Sequence, residues 1–396
     1  MSSSTLAVLD MGTSSITALI GSKNTQGLNI IGYGESPSIG FKKDVVFDID
    51  ACAKSIRTAL NQAEKEAGIE VQHVYVGFSG CDIVSTNVIS GIDIPKSKKE
   101  ISARNLQLLF ETCRAKARND GLKLVHLIPR EYAVDGNWGI DDPIGRVGQH
   151  LKIEAHLIQG RAAALQNLYQ ALEHAGVKVK GIFFTPLVLA HRLLQPVEKE
   201  VGTMLVDIGG NTTGLCWYRR GGPWLTISLP VGSEHVTGDL AIGLRLSLSA
   251  ASKLKVKYGL KKLPAGAEEV ELEGQARKVP GRLISEIIEA RVLELVDLIK
   301  MSIKEYGQGT RPLGLVITGG GAQLSGLPEL LAEAIDLPVR VADFKNEDAG
   351  IPPNGGSAAA VMEYAVDTMV KDCEHKNKLL TKLKSGFRSV IHRFRG

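Results

Sequence analysis

Two stretches of the chain share one hydrophobic pattern. Residues 6–15 (LAVLDMGTSS) and 205–214 (LVDIGGNTTG) each begin with an apolar run, continue through an aspartate into glycine, and end in small hydroxyl residues. Such a pattern predicts a buried strand that stops in a tight turn. The two aspartates, Asp10 and Asp207, lie about half a chain length apart, so we expect two duplicated halves that each supply one hairpin.

The chemistry of these turns suits phosphate. Glycines let the backbone approach a ligand, consecutive N–H groups form an anion nest, and hydroxyls add donors. An aspartate at the strand end would face Mg²⁺ through water. One such turn alone is often a plain hairpin, but the repeat favours phosphate. The candidate residues are Asp10, Gly12, Thr13, Ser14 and Ser15 in the first turn, and Asp207, Gly209, Gly210, Asn211, Thr212 and Thr213 in the second.

The elements between the turns follow the same plan twice. Three strands lead into a helix with apolar residues at helical spacing, residues 49–67, and then a strand, 73–78. A second three-stranded meander begins at Thr203, and an amphipathic helix covers 281–306. A strand, 313–318, then runs into Gly319, Gly320 and Gly321, which we expect to start a helix whose positive N-terminus seats phosphate or ribose. Gly355 and Ser357 open a last helix ending near residue 366.

Composition and charge narrow the function classes. The 44% hydrophobic and 23% charged fractions are those of a globular protein, and no run approaches the length of a membrane span. The five cysteines are scattered, which favours reduced thiols. Residues 371–396 hold eight Lys or Arg and two Asp or Glu, whereas the preceding residues hold 39 and 41. A near-neutral body with a basic tail argues against nucleic acid as a partner and for an anionic partner of the tail.

The tail carries a helical stripe with basic flanks. Apolar residues at i, i+3, i+4 and i+7 predict an amphipathic helix over 385–396 that lies in a membrane interface and binds anionic lipids. The alternative is a terminal helix that docks on its own core. One tail binds weakly, so we expect polymerisation and membrane attachment to reinforce each other. The candidate membrane-binding residues are Phe387, Arg388, Val390, Ile391, Arg393, Phe394 and Arg395.

Several longer motifs resemble a known family. They are VLDMGTSSI (8–16), VHLIPREYAVDG (125–136), GIDDPIG (139–145), VDIGGNTTG (206–214), VGSEHVTGDLA (231–241), GGGAQLSG (319–326) and GGSAAA (355–360). Together with the basic amphipathic tail, they resemble the FtsA family of bacterial cell-division proteins within the actin, Hsp70 and sugar-kinase superfamily. The resemblance spans essentially the whole chain. It implies an α/β fold of two duplicated actin-like halves around a nucleotide cleft, with a small inserted α+β domain.

The resemblance also implies a domain plan. The first half comprises residues 1–81 and 161–202, the inserted interaction domain 82–160, and the second half 203–366. A flexible tether, 367–384, joins the membrane-targeting helix. The family docks the C-terminal peptide of FtsZ on its second half, which points to Arg282, Glu286, Lys300 and Lys304 here.

Cofactors and a further group of residues are also implied by the resemblance. ATP and Mg²⁺ are the implied cofactors. Gly319, Gly320 and Gly321 resemble the turn on the adenosine side of the family's site, and Ser252, Lys255, Gly355 and Ser357 are further candidates on that side. Two positions depart from the family: Ser252 stands where a ribose-facing glutamate is usual, and Ser233 replaces a glycine. Both departures lie where adenosine is expected.

The implied function is that of an adaptor. We expect an ATP-binding protein, at most a weak ATPase, that polymerises on the inner face of the cytoplasmic membrane, anchors FtsZ filaments there and recruits later division proteins. The protein would be cytoplasmic and peripheral on that membrane at the division site. The alternatives are a soluble small-molecule kinase or ATPase of the same superfamily and a pilus-assembly relative of the same fold. A kinase needs a base near a substrate hydroxyl, and the sequence identifies none.

Overall fold

The computed structural model describes residues 4–24, 27–42, 45–80, 82–95, 100–117, 121–260, 269–271, 278–342, 344, 351–352 and 354–369. The predicted membrane-targeting helix, 385–396, and tether residues 370–384 lie outside the described residues. So do the candidate membrane-binding residues Phe387, Arg388, Val390, Ile391, Arg393, Phe394 and Arg395.

Strands and helices alternate along the chain. The strands are β1 Ser4–Met11, β2 Ser15–Asn24, β3 Gly27–Pro37, β4 Phe41–Lys42, β5 Val45–Val46, β6 His73–Phe78, β7 Val84–Asp93, β8 Leu122–Val134, β9 Asn137–Ile140, β10 His150–Arg161, β11 Lys178–Phe184, β12 Thr203–Ile208, β13 Thr213–Arg219, β14 Gly222–Leu229, β15 Glu269–Glu271, β16 Lys278–Pro280, β17 Gly314–Thr318 and β18 Val339–Val341. The helices are α1 Ile49–Ala67, α2 Ala103–Lys116, α3 Ala162–His174, α4 Thr185–Leu193, α5 Pro196–Val201, α6 Ser233–Leu244, α7 Leu248–Tyr258, α8 Gly281–Tyr306, α9 Leu327–Ile335 and α10, residues 356–369.

Two five-stranded sheets repeat one plan. The first has the order β11-β6-β1-β2-β3, and the second has the equivalent order β18-β17-β12-β13-β14. In each, three antiparallel strands are continued by two parallel strands. The register places Asp10 beside Gly77 and Asp207 beside Thr318. Each aspartate therefore lies next to the end of a parallel strand, where open α/β sheets bind ligands.

Helix α1 covers the first sheet closely. Asp48 caps its start by accepting a hydrogen bond from the Ala51 N–H at 3.0 Å, and Gly68 ends it in the left-handed conformation. Its inner face consists of small and branched apolar residues at helical spacing, which lets α1 lie directly on β3. A Cβ at Gly34 would overlap the backbone carbonyl of Ala59.

The inserted segment folds into a sheet of its own. Strands β7, β10, β8 and β9 are neighbours in that order, and α2 packs on them through a core that includes Leu109 and Leu151. A capping box fixes the start of α2, because the side chains of Ser102 and Asn105 each accept the other residue's backbone N–H.

An edge strand of the inserted sheet meets an edge strand of the second sheet. Asn87 on β7 donates to the Trp224 carbonyl on β14 at 2.8 Å, and the Thr226 N–H donates to the Ser85 hydroxyl at 2.8 Å. The Arg130 guanidinium lies over the Trp224 ring, 4.8 Å from its centroid. Side chains, rather than a continuous ladder, join the two edges, so the inserted domain contacts the second half by a polar seam.

Helix α10 returns the chain to the first sheet. A Cβ at Gly77 would lie 2.5 Å from the Val361 side chain, and Ala358 and Val361 belong to the buried cluster of the first half. The sequence assigned residues 203–366 to the second half. The structure instead packs this last part against the first sheet, where the Val361 and Met362 side chains lie against Gly77 of β6 and Gly21 of β2.

Candidate functional site

The first hairpin turns between β1 and β2. The Gly12 N–H donates to the Ser15 carbonyl at 3.1 Å and closes the turn, while the Ser38 hydroxyl donates to the Gly12 carbonyl at 2.6 Å. At the strand end, the Asp10 carboxylate accepts a hydrogen bond from the Thr185 hydroxyl at 3.3 Å. At the tip of the turn, Thr13 is half-buried and Ser14 is exposed.

The second hairpin turns between β12 and β13 in the same way. The Gly209 N–H donates to the Thr212 carbonyl at 2.9 Å. Here the start of α6 braces the turn, because the Ser233 N–H donates to the Gly209 carbonyl at 2.9 Å and the Glu234 N–H to the Gly210 carbonyl at 2.7 Å. Asp207, Thr212 and Thr213 are buried, whereas Gly209, Gly210 and Asn211 are half-buried.

Thr213 and Ser15, both predicted site residues, form hydrogen bonds within the protein. Thr213, the first residue of β13, donates to the Val231 carbonyl at 2.7 Å. Ser15, the first residue of β2, hydrogen-bonds Glu35, whose pKa is lowered chiefly by the bond from the Tyr33 hydroxyl and further by those from Ser15 and Asn354. These hydroxyls fix the hairpins to neighbouring strands and loops.

The two hairpins meet at one point. A Cβ built on Gly210 would lie 3.1 Å from the Thr13 methyl group and 3.3 Å from Cγ of Glu234. A glycine at this position lets the tip of the first hairpin approach the backbone of the second. The structure therefore brings Thr13 of the first hairpin into contact with Gly210 of the second.

A cavity of about 120 Å³ lies beside this meeting point. Its walls come from the second half: the turn after β17, the starts of α6 and α9, and the facing sides of α7 and α8. Apolar groups dominate, and Lys255, Arg291, Gln323 and Ser233 are the polar members. A mostly apolar pocket with few polar groups is typical of a site for a small molecule or cofactor. The other lining residues are Ile208, Val231, Gly232, Val236, Val256, Val292, Leu295, Gly320, Gly321, Leu324 and Leu327.

Some of the predicted adenosine-side residues border the cavity and others do not. Lys255, Gly320 and Gly321 line the cavity, and Gly319 lies directly beside Asp207, since its Cβ would be 2.6 Å from a carboxylate oxygen. Ser252 is half-buried on α7 but does not border the cavity. Gly355 and Ser357 lie at the start of α10, on the first half.

The glycine run differs from the expected helix start. Gly320–Gln323 form a single 3₁₀ turn, and α9 begins later, at Leu327. Gly319 has φ +87° and ψ 169°, a combination that is nearly restricted to glycine. The run therefore bends the chain tightly around Asp207 and Ile208 and does not point a long helix at the ligand.

A second, basic groove lies at the far end of α8. It has a volume of about 240 Å³, and Lys300 and Lys304 line it together with Arg311 and the apolar Ile335 and Leu337. The other two residues predicted for this surface lie near the start of α8. There Arg282 and Glu286 are exposed and pair with each other at 2.6 Å, outside the groove.

His126 and His156 form hydrogen bonds within the protein. His126 is half-buried and accepts a hydrogen bond from the Phe184 N–H at 3.0 Å, and burial of its ring lowers its pKa to about 4. His156 lies between Asn87 and Thr226, and burial lowers its pKa to about 3. Within the described ranges, no group of three or more His, Cys, Asp or Glu could hold a metal ion.

Comparison with solved structures defines the class of fold. The chain aligns with a protein of a PilM-PilN type IV pilus biogenesis complex at a TM-score of 0.64, with 18% identity, over 91% of this chain and 98% of that one. It aligns with MreB 5 of Spiroplasma citri bound to AMPPNP at a TM-score of 0.52, with 14% identity, over 93% and 98%. With its two equivalent sheets and facing hairpins, this is an actin-like fold, and the predicted fold class is confirmed.

Sequence comparison defines the family. Residues 204–361 match the model of cell division protein FtsA, and residues 80–159 match the SHS2 domain inserted in FtsA. Cell division protein FtsA of Neisseria meningitidis is 32% identical over 344 residues, or 85% of this chain and 83% of that protein. The Escherichia coli protein is 31% identical over 379 residues, or 91% and 90%. The chain belongs to the FtsA family of cell-division proteins.

Membership of this family confirms the predicted resemblance. The chain is an actin-like protein of cell division, and its fold is one that implies nucleotide binding. In the described part of the chain, no helix is both long enough and apolar enough to cross a membrane.

Proposed function

We propose that this protein binds ATP with Mg²⁺ between its two hairpins and uses the bound state to polymerise at the membrane. The contact between Thr13 and the Gly210 backbone, next to the apolar cavity, is the observation that carries this proposal. Phosphates would contact the two turns, and the base would enter the cavity of the second half. The ribose would then lie near Gly319 to Gly321 and Lys255.

The residues present fit a magnesium ion held mainly by water and phosphate. Asp10 and Asp207 are the carboxylates at the two strand ends, and the described residues offer no cluster of three metal ligands there. Mg²⁺ usually keeps several waters and takes one or two carboxylates beside substrate phosphates. These aspartates would orient the hydrated ion, and the ion would neutralise charge on the phosphates.

Calorimetric titration of ATP, with and without Mg²⁺, tests this site. Asp10→Asn and Asp207→Asn should each weaken the Mg²⁺-dependent part of binding by about tenfold, because one carboxylate of the ion's outer shell loses its charge. Asp297→Asn, an exposed change on α8, is the matched control and should leave binding unchanged. Equal ATP affinity with and without Mg²⁺ in all four proteins would refute the assignment.

We propose the basic groove as the binding site for the C-terminal peptide of FtsZ. Two lysines, an arginine and apolar residues around about 240 Å³ suit an acidic peptide with apolar side chains. In fluorescence anisotropy with a labelled FtsZ peptide, Lys300→Glu or Lys304→Glu should weaken binding at least about tenfold. Arg282→Glu, outside the groove, should change it less than about twofold. The opposite ranking would move the binding site to the start of α8.

The tail supports attachment to the inner face of the cytoplasmic membrane. We expect the full chain to sediment with anionic liposomes, more so with ATP and Mg²⁺, because polymers present many tails at once. A chain truncated after Lys384 should stay in the supernatant. If both chains stayed there under every condition, the tail would dock on its own core. Separately, the inserted domain is the surface that we propose for recruiting later division proteins.

A further inference from the structure

Lys255 keeps hydrogen-bond donors for a ligand. Its side chain is only 11% exposed, its ammonium donates to the Ser233 carbonyl at 3.1 Å, and the nearest Glu234 carboxylate oxygen is 3.6 Å away. Across the described residues, that carbonyl is its one hydrogen-bond acceptor. An ammonium has three N–H donors, so up to two remain beside the cavity that Lys255 lines.

Glu234 lies between this lysine and the two hairpins. Its backbone N–H donates to the Gly210 carbonyl at 2.7 Å, which fixes the residue against the second hairpin. Its side chain and that of Thr13 both lie against Gly210, on the side where a Cβ would be. A chain of contacts thus runs from the first hairpin through Gly210 and Glu234 to Lys255 and the cavity.

We propose that Glu234 is a positioning residue for the nucleotide. Its carboxylate holds the flexible Lys255 side chain so that the remaining N–H donors face an oxygen atom of the bound ligand. That oxygen belongs to a ribose hydroxyl or to a phosphate, because Lys255 lies between the apolar cavity and the phosphate turns. The inference rests on the proposed ATP site and assigns a role to a residue that the sequence motifs did not single out.

Charge balance makes the two residues interdependent. A carboxylate beside phosphate turns repels the ligand unless a cation compensates it, and a lysine has four rotatable bonds that need an anchor. Removing Glu234 alone frees the lysine from its position. Removing Lys255 alone leaves an uncompensated negative charge close to the phosphates. Removing both relieves that repulsion, so the effect of the glutamate substitution depends on whether the lysine is present.

A double-mutant cycle on the full chain tests this dependence by calorimetric titration of ATP and of 2′-deoxy-ATP with Mg²⁺. Glu234→Gln should weaken ATP binding about tenfold, and Lys255→Met should weaken it more. In the Lys255→Met background, Glu234→Gln should leave binding equal or improve it. Glu289→Gln, an exposed change of the same chemistry on α8, is the control and should stay within about twofold of the unmodified chain.

The two nucleotides identify the oxygen atom. If Lys255→Met reduces the preference for ATP over 2′-deoxy-ATP, the partner is the ribose 2′-hydroxyl. If it weakens both nucleotides equally, the partner is a phosphate oxygen, and either result supports the proposal.

An unchanged affinity in Glu234→Gln, or an equal loss in both backgrounds, would overturn it. An unmodified chain that is folded but binds no ATP would refute the proposed function instead. Thermal unfolding shows whether each variant is folded. If Glu234→Gln does not fold, Glu234→Asp replaces it, because aspartate keeps the negative charge but its shorter side chain holds the carboxylate farther from Lys255.

Discussion

The two halves share a strand order but differ in the helices that come after their third strand. In the first half, α1 is the one helix among the described residues between β3 and β6, where it follows the short strands β4 and β5, and it packs so closely that Gly34 lies against the Ala59 carbonyl. In the second half, α6, α7 and α8 connect β14 to β17, and they enclose the cavity of about 120 Å³. The single helix of the first half packs directly on its sheet, whereas the three helices of the second half leave a cavity between them.

This difference separates two tasks that a nucleotide site must perform. The sheets supply matching hairpins, so in the proposed site contacts to phosphate would come from both halves. The cavity lies in the second half, so the base would bind there. We therefore expect changes in the first half to affect phosphate binding and domain closure, and changes in the second half to affect the base as well.

The largest predicted effect lies in the second half. Gly319→Ala puts a side chain in a backbone region nearly restricted to glycine and 2.6 Å from both an Asp207 carboxylate oxygen and the Ile208 carbonyl. We expect a loss of about 4 kcal/mol in the free energy of unfolding, together with loss of ATP binding. Gly320→Ala is the matched control, because no heavy atom of the described residues lies within 4 Å of its Cβ. Urea unfolding of both proteins measures the difference, and similar values would contradict the assigned backbone strain.

A smaller loss of stability is predicted in the first half. Gly34→Ala would force α1 away from β3, and we expect the free energy of unfolding to fall by about 2 to 3 kcal/mol. Gly238→Ala within α6 has no such neighbour and should be neutral or stabilising by about 0.5 to 1 kcal/mol. If Gly34→Ala were as stable as the unmodified chain, α1 would not be closely packed, and the contrast between the halves would disappear.

Local patterns predicted much of this arrangement from the sequence. The apolar spacing of α1 and α8 predicted both helices with the bounds that the structure shows, and the two Asp-x-Gly turns predicted equivalent hairpins. The turn at Gly319 was expected to start a helix. Its backbone instead packs against Asp207 and Ile208 at the end of β12, and this tertiary contact cannot be read from a run of glycines. The positions of Glu234 and of the seam at Arg130 also depend on contacts between segments far apart in sequence.

The meeting point of the hairpins gives a prediction about binding alone. Gly210→Val places branched carbons against Thr13 and holds the hairpins apart. We expect ATP with Mg²⁺ to bind about tenfold more weakly, or about 1.4 kcal/mol, because phosphate needs both turns. Adenosine, which would need only the cavity of the second half, should lose less affinity than ATP. Calorimetric titration of both ligands is the measurement, and an equal loss for adenosine would show that the halves do not divide the site in this way.

Two histidines with lowered pKa values give the smallest predicted effect. Both lie in the inserted domain: His126 on β8 contacts β11 of the first half, and His156 on β10 lies at the seam with the second half. Burial lowers their pKa values to about 4 and about 3. In the unfolded chain they take up protons near pH 6.5, so between about pH 6.5 and 4 the unfolded state binds more protons and the folded state loses stability as pH falls. From about pH 6.5 to 5.5 each should lower the free energy of unfolding by about 1 kcal/mol.

Substitution separates the two contributions. His126→Gln and His156→Gln should each reduce that decrease by about 1 kcal/mol, because neither glutamine takes up a proton on unfolding. Urea unfolding at about pH 7.5, 6.5 and 5.5 measures it, and the values at the highest pH provide the reference for each variant. If only His156→Gln flattened the pH dependence, proton uptake would act through the seam between the inserted domain and the second half, and the contact of His126 with β11 would contribute none of it.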